Sequence, residues 1–454
     1  MDVITPRGKS GNRFSRRRRS AGGLLGLVML CLLLLWPSLL PAEESYSFDL
    51  TEIEKKPYHF GGYLEAKPLL SRFNRDSAGY RFKFTGRDLG RTLEEVNLKF
   101  QLEGSYEKGI ARLYFKTNTD YKITRLEDDG ESTDLFEGVL SLKPSSSWQI
   151  DAGKKTFKWG KGYAWNPAGF IDRPKDPDDP EVGMEGVFAL SADYTKSFDG
   201  PLKTLSFTPV IQPVYDHINT EFGKKDYLNL VAKLYLLLYD TDIDFMVFTG
   251  GSRTTRFGAD FSRNLSENWE IHGEIAYIKD VQNSLLDPSG RVSTVEYDAT
   301  SYLLGIRYLT ARDTTYILEY YRNGAGYSEA EMAEFFGFAH DAYGCYAATG
   351  DDASLKKAAQ LFESQYGRIN PMRDYLYLRI SQKEPFDILY FTPAVTTIVN
   401  LNDESFTLSP EVAYTGITNL DLRLKASFIN GPKDSEYGEK PFGFKLELRV
   451  GYYF

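Results

Sequence analysis

Charged, aromatic and proline residues are densest between positions 151 and 181, which makes this segment the part of the chain best suited to chemistry. Its cations and anions could set an electric field across a confined space, bind a cation, or only keep a surface loop hydrated. The prolines would stiffen its backbone. The charged residues that we single out are Asp151, Lys155, Lys158, Lys161, Asp172, Arg173, Lys175, Asp176, Asp178, Asp179 and Glu181.

Metal binding and catalysis find little support in the sequence. Hard cations such as Ca²⁺ bind clustered carboxylates, but the acidic residues between 176 and 181 lack EF-hand spacing. The four histidines are scattered, and none pairs in sequence with a plausible nucleophile or metal partner. We therefore predict no enzymatic activity, no cofactor and no metal ion, although triads formed in space between strands stay open.

The elements around this segment read as β-strands. From Phe60 onward, apolar and polar residues alternate in segments of roughly ten residues, as in a strand with one apolar and one polar face. We predict about 18 strands. We expect bulges at the internal prolines 209, 213, 393 and 410, and the total could be 16. The predicted strands begin near residues 60, 95, 110, 135, 148, 186, 204, 228, 242, 254, 269, 298, 314, 374, 387, 404, 419 and 442.

Short and long connections alternate along the chain. The predicted turn after every second strand is short, and the connections between these turns include the longest ones. Such an alternation places the long connections at one end of an antiparallel sheet. The longest are residues 67–94, 158–185, 281–297, 324–371 and 432–441.

Residues 324–371 break the β pattern and are predicted to contain two helices. Ser328 and Glu331 have the spacing of a capping box, and Asp352 could cap a second helix. This helical insertion could cover one end of the sheet structure, turn inward as a plug, or decorate its rim. Cys345, between the two helices, is expected to be a small buried residue.

The last predicted strand carries the first family resemblance. Residues 442–454 alternate strictly between apolar and polar side chains and end on Phe454. This strand resembles the C-terminal sorting strand of Gram-negative outer-membrane β-barrels. The resemblance implies a closed barrel with lipid outside and a wet lumen inside, Phe454 as assembly signal, and the barrel-assembly machinery, outer-membrane lipid and lipopolysaccharide as partners.

A second resemblance lies at the start of the charged segment. Gly153, Lys154, Trp159 and Gly160, followed by Asn166-Pro167, are similar to the "G-[KR]-x-x-x-x-W-G … N-P" segment of alginate-export-like and related uncharacterised outer-membrane porins. The resemblance implies that the whole mature chain is one such barrel. In porins the third extracellular loop often folds into the lumen, so we predict a pore constriction formed by Lys155, Lys158, Lys161, Asp172, Arg173, Lys175, Asp176, Asp178, Asp179 and Glu181.

The amino-terminal sequence predicts that the protein is exported from the cytoplasm. A cluster of arginines precedes an apolar run and the small residue Ala42, which is the pattern of a cleaved signal peptide. We predict a signal peptide over 1–42, a short periplasmic segment over 43–57, and a transmembrane barrel over 58–454 that carries the helical insertion 324–371. Removal of residues 1–42 would change the formal net charge from −9 to −15 and leave Cys345 as the only cysteine. This excess of acidic residues argues against a nucleic-acid partner.

These observations predict an all-β fold, a single transmembrane antiparallel β-barrel with a helical extracellular loop. Its predicted function is an outer-membrane channel for passive or substrate-selective diffusion of a small hydrophilic solute. The alternatives are a non-transporting surface protein, such as an adhesin or scaffold, that binds partners through residues 324–371, and a soluble secreted protein. The solute, the ion selectivity and assembly into homo-oligomers stay open. The residues predicted to line the lumen are Lys99, Glu103, Arg112, Asp151, Glu274, Arg307, Arg379, Arg423, Lys425, Lys445, Glu447 and Arg449.

Overall fold

The computed structural model of the protein describes residues 56–87, 89–126, 130–287 and 289–454. The predicted signal peptide and nearly all of the predicted segment 43–57 lie outside the described residues, and both stay predictions.

Eighteen antiparallel strands form one sheet in which each strand pairs with its neighbours in sequence. The last strand pairs with the first, which closes the sheet into a barrel. The predicted all-β barrel of 18 strands is therefore confirmed, and the alternative of 16 strands is wrong. The strands are β1 (Tyr58–Phe73), β2 (Thr92–Lys108), β3 (Ala111–Thr124), β4 (Gly130–Ser145), β5 (Trp148–Lys155), β6 (Val187–Ser197), β7 (Leu202–Val214), β8 (Tyr227–Leu238), β9 (Thr241–Thr249), β10 (Arg256–Ser266), β11 (Trp269–Leu286), β12 (Val292–Leu309), β13 (Thr314–Arg322), β14 (Asp374–Gln382), β15 (Phe391–Asn400), β16 (Phe406–Ile417), β17 (Leu420–Asn430) and β18 (Phe442–Tyr453).

Within the described residues, three α-helices lie in the long connections. They are α1 (Ala78–Phe84), α2 (Glu329–Thr349) and α3 (Ala353–Leu361), and a π-helical turn (Phe362–Tyr366) follows α3. Both helices predicted in the insertion are confirmed, and α2 begins with the predicted capping box. Cys345 is exposed and lies within α2, so the expectation that it is buried in a connection is wrong. No helix in the described part of the chain is long and apolar enough to cross a membrane.

Several strands are longer than the sequence pattern predicted. Residues 67–94 and 281–297 were expected to be largely loop, yet β1 continues to Phe73 and β12 starts at Val292. Backbone pairing persists in these parts, where Gln282 still donates a hydrogen bond to Glu296 across β11 and β12 (2.9 Å). Near Gln282 and Glu296 the exposed side chains of β11 and β12 are polar, so the alternation disappears from the sequence there before the ladder of hydrogen bonds ends.

The internal prolines do not form bulges. Pro209 pairs with Ala232 of β8, and Pro410 pairs with Val395 of β15, both in regular register. On its other side, Pro209 interrupts the pairing of β7 with β6, which resumes at Phe207 in unchanged register. Because proline has no N–H, the ladder of hydrogen bonds between β6 and β7 is interrupted at Pro209, but the register of the two strands does not change. The expectation of bulges at the prolines is wrong.

The outer face of the barrel is apolar and exposed. Leu424 in the middle of β17 is 43% exposed, and Ile275 in β11 is 49% exposed. Side chains of the alternate phase point inward, so that Arg423 and Glu274 lie inside the barrel. An outer surface of exposed leucine, isoleucine and aromatic side chains is unfavourable in water and suits a lipid environment.

Long connections fold into the barrel and pack against its inner wall. One apolar cluster joins α2, the end of α3 and Trp165 to wall residues such as Tyr375 and Tyr377. A second cluster packs Trp159, Phe170 and Ile171 against Phe248 and its neighbours on β7 to β11. The long connections are therefore folded onto the barrel and share its core.

We expect the folded barrel to show heat-modifiable migration. A closed ladder has no edge strand from which unfolding could begin, so unboiled protein should stay folded in detergent. The measurement is electrophoresis of boiled and unboiled samples side by side, with different mobilities as the expected result. Equal mobility, together with solubility in detergent-free buffer, would contradict the assignment of the apolar face to lipid.

Candidate functional site

The connection between β5 and β6, residues 156–186, crosses the inside of the barrel. We call it the inner loop. It contacts inward-facing side chains of strands on different sides of the closed sheet, namely Asp244 of β9, Glu319 of β13 and Arg449 of β18. A segment that reaches strands on opposite walls must lie in the lumen between them.

Two buried wall carboxylates hold the first half of the inner loop. Glu274 accepts hydrogen bonds from the backbone N–H groups of Lys161 (2.6 Å), Gly162 (2.6 Å) and Ala168 (3.1 Å). Glu319 accepts the N–H groups of Tyr163 and Ala164, the latter at 2.8 Å. Because charged acceptors make stronger hydrogen bonds than neutral ones, this wall fixes the loop backbone in place.

The glycines next to these contacts allow the close approach. Gly160 has φ +95°, and a Cβ there would lie 2.8 Å from a Glu274 carboxylate oxygen. A Cβ at Gly162 would lie 2.2 Å from the carbonyl oxygen of Trp165. Larger residues would push the backbone away from the wall carboxylate.

Asp172 folds the inner loop back on itself. Its carboxylate accepts hydrogen bonds from the N–H groups of Phe157 (3.2 Å), Lys158 (2.8 Å) and Trp159 (2.5 Å). Asp172 is therefore a structural acceptor within the loop, with its charge turned away from solvent.

The acidic end of the inner loop meets basic wall residues. Asp179 lies 2.5 Å from Arg449 and 3.8 Å from Arg423, and Glu181 lies 3.7 Å from Arg423. Burial opposes ionisation of Asp179, but Arg449, Lys425 and Arg423 together outweigh burial and keep the pKa of Asp179 below its usual value. Lys425 donates to the carbonyl oxygen of Asp178. Ion pairs therefore fix the acidic end of the inner loop to the basic residues of the barrel wall.

The acidic group does not form a cation site. Asp179 and Glu181 face arginines, while an Asp176 oxygen accepts the backbone N–H of Asp178 (3.0 Å). These contacts turn the carboxylates in different directions, so their arrangement does not fit the clustered oxygen ligands of Ca²⁺.

Most cations of the inner loop are also paired. Lys161 lies 3.0 Å from Asp244, and Arg173 lies 2.8 Å from both Glu185 and Glu221. Lys155, at the end of β5, pairs with Asp151. The Lys158 side chain is exposed.

Lys175 differs from these residues, because its ammonium group donates to the carbonyl oxygen of Gly162. Burial lowers the pKa of Lys175, although Glu274 and Glu319 oppose this effect.

The inner loop separates two cavities. One, of about 640 Å³, is lined by wall residues near the short turns, including Glu270, Arg307 and Thr392. The other, of about 620 Å³, lies toward the long connections and is lined by residues such as Glu221 and Asn370. Lys175 lines both cavities. Its side chain therefore stands at the boundary between the two compartments.

The other residues predicted to line the lumen lie along the wall in smaller groups. Arg379 contacts Thr396 (3.0 Å) and Glu411 (3.4 Å), close to the arginines that hold the inner loop. For the rest, the described contacts are local, either within one strand or between adjacent strands. These contacts are Lys99–Asp120, Tyr114 donating to Glu103, Arg112 over the Tyr114 ring, Arg307–Glu270, Glu447–Arg449, and Lys445 in register with Ser71 and Ser427.

Three wall residues of this site were missed in the sequence. They are Asp244, Glu319 and Glu411, which contact Lys161, the backbone of the loop and Arg379 respectively. All three occupy the polar phase of alternating strands, the same phase that identified Glu274. The alternation could therefore have found them, but it could not say which wall residues face the loop.

Comparisons with known proteins give structural neighbours only. No family model matches the chain, and no curated protein matches it. Among solved structures, it is similar to OprD of Pseudomonas aeruginosa (10% identity, TM-score 0.48, covering 87% of this chain and 95% of that one). It is also similar to the outer membrane protein OpdK of Pseudomonas aeruginosa (9% identity, TM-score 0.49, 87% and 98%) and to a triple mutant of Rhodopseudomonas blastica porin (9%, 0.43, 87% and 100%).

Proposed function

We propose that this protein is an outer-membrane channel for passive or substrate-selective diffusion of small hydrophilic solutes, with the inner loop as its constriction. The observation that carries the proposal is the position of Lys175, which lines the cavities on both sides of the loop. A solute that moves between these two cavities would pass this side chain.

The two faces of the barrel support a membrane location. Apolar side chains are exposed on the outside, while charged residues line the inside, as in barrels that enclose a polar lumen in lipid. The long connections would then be extracellular, next to lipopolysaccharide.

The last residue of the chain completes the seam of the barrel. Phe454 and Gly62 exchange two backbone hydrogen bonds (3.0 and 3.1 Å), and the Phe454 side chain is 47% exposed. Its ring is therefore accessible on the outer face, which suits the proposed recognition by the barrel-assembly machinery.

The alternative, a surface protein that binds partners through residues 324–371, is less favoured. Met332, Phe335 and Phe336 of α2 are buried against the rest of the protein. The apolar face of the helix is thus used to pack the insertion onto the barrel mouth. A partner would have to bind the remaining polar face.

Conductance in a planar lipid bilayer tests the proposal. We expect discrete current steps, and a reversal potential in a salt gradient that shifts toward cation preference in Lys175→Gln, since one positive charge leaves a low-dielectric passage. Lys356→Gln is the matched control, because its side chain on α3 is 75% exposed and pairs only with Asp352 in the described contacts. The absence of current steps from folded protein would favour the surface-protein alternative.

A further inference from the structure

Three connections outside the strands meet at His340. This residue lies on α2, and its Nε2 atom is 3.1 Å from Asp434 Oδ1 and 3.1 Å from Glu439 Oε1. Both carboxylates belong to residues 431–441, between β17 and β18. The third partner is Arg81 of α1, whose Nη1 lies 2.8 Å from His340 Nδ1.

The two carboxylates and the imidazole are spaced like ligands of one ion. Their ligand atoms all lie within 4.8 Å of one another. In a tetrahedral site with bonds of about 2.0–2.2 Å, two ligand atoms are about 3.3–3.6 Å apart. The two distances of 3.1 Å from Nε2 therefore require only a small expansion to admit a cation.

The carboxylates are held in orientations that suit this role. Glu439 is buried, and its two oxygens accept the backbone N–H groups of Ala78 (2.5 Å) and Asp434 (3.0 Å). Asp434 Oδ1 is buried and makes no hydrogen bond within the described part of the protein, although it points at His340. A desolvated acceptor without a donor is costly unless a cation or a water completes it.

Arg81 acts against a cation at this position. While Nδ1 accepts a hydrogen bond from Arg81, the imidazole proton must lie on Nε2, where a metal ion would bind. Metal binding therefore moves this proton to Nδ1, and the imidazole loses its hydrogen bonds with Arg81 and with Glu439. The Arg81 guanidinium already lies 4.4 Å from the centre of the Tyr343 ring. This cation–π contact can hold the guanidinium in place when its hydrogen bond to His340 Nδ1 breaks.

We propose that His340, Asp434 and Glu439 form a binding site for a divalent transition-metal cation of the Zn²⁺ class, which ties α2 to residues 431–441. One imidazole and two carboxylates are the mixed nitrogen and oxygen ligands that Zn²⁺ and Co²⁺ accept, whereas Ca²⁺ and Mg²⁺ prefer oxygen alone. The fourth position is open to water. The formal charges of Arg81 and the two carboxylates sum to one negative charge, which attracts the cation.

Titration with Co²⁺, followed by its visible absorption, and competition with Zn²⁺ test this site. The full chain is used in detergent with Cys345→Ser, because Cys345 is exposed and could bind either ion by itself. We expect one site of high affinity, and a loss of at least tenfold in affinity in His340→Gln and in Asp434→Asn. Asp434→Asn keeps the size of the side chain, so it separates ligand loss from misfolding. His217→Gln, at an exposed histidine, is the matched control and should bind as the parent does.

Arg81→Met separates a metal site from a purely structural hydrogen-bond network. It removes the competing donor and a positive charge, so we expect the affinity for Co²⁺ and Zn²⁺ to rise several-fold. Zn²⁺ should also slow proteolysis within residues 431–441 of the parent protein, and have no such effect in Asp434→Asn. The proposal is overturned if the parent binds neither ion, if His340→Gln and Asp434→Asn bind with parental affinity, or if Arg81→Met does not strengthen binding.

Discussion

Replacement of residues 172–181 by a short Gly-Ser linker should raise the single-channel conductance by roughly twofold or more, because a barrel of 18 strands encloses a lumen wide enough for water once its inner loop is shortened. The replaced residues include Lys175, at the boundary between the two cavities, and Asp179, which bridges to Arg449. The measurement is the step size in a planar bilayer at fixed salt concentration and voltage.

A second variant releases the inner loop without shortening it. Glu274→Ala with Glu319→Ala removes the acceptors of five backbone N–H groups, so the loop should detach from that wall and the current should fluctuate between levels. Glu270→Ala is the matched control, because this carboxylate also lines the lumen but pairs with Arg307 rather than with the loop. If the linker variant and the double variant both fold and conduct as the parent does, the constriction lies elsewhere, and residues 324–371 are the next segment to test.

The strands could be predicted because lipid and lumen impose opposite requirements on alternate residues. The number of strands and the short turns follow from this alternation. The strand ends do not, since the outward side chains of β11 and β12 become polar near Gln282 and Glu296 while the backbone pairing continues. The alternation of side chains cannot show where backbone hydrogen bonding between two strands ends, because these hydrogen bonds depend on backbone groups alone.

Helix α1 was missed for a different reason. It has only seven residues, and the sequence around it shows no apolar repeat long enough to identify a helix. Its stability comes from tertiary contacts, among them Phe84 with Phe73 and the N–H of Gly79 with the carbonyl oxygen of Glu439. The N-cap Ser77, whose side chain accepts the N–H of Tyr80, is a local signal, but the contact with Glu439 leaves none in the sequence around the helix.

The candidate sites were predictable to different degrees. The charges of residues 158–181 are visible in the sequence, but their place inside the barrel was expected only through the porin resemblance. The group around His340 was not predicted, since its imidazole and the Glu439 carboxylate are 99 positions apart. Here the folding of α2 and residues 431–441 over the same end of the barrel brings the ligands together.

Two adjacent substitutions in β17 should have opposite consequences for folding. Leu424 is exposed on the outer face, while Lys425 contacts the inner loop at the carbonyl oxygen of Asp178. Leu424→Arg should cost about 2 to 4 kcal/mol, the cost of an arginine on the lipid face near the bilayer midplane. Lys425→Glu should leave the barrel folded, because a charged side chain stays solvated in the lumen.

The free energy of unfolding in lipid vesicles, from denaturant titration, measures the first effect, and conductance measures the second. We expect Lys425→Glu to alter permeation, since it places a negative charge beside Asp176 and Asp179, whose carboxylates interact with Lys425 in the parent protein. Leu424→Ile is the control for the position itself and should cost little. Equal stability of Leu424→Arg and Lys425→Glu would mean that Leu424 does not face the lipid, and it would contradict the assignment of the lipid and lumen faces of β17.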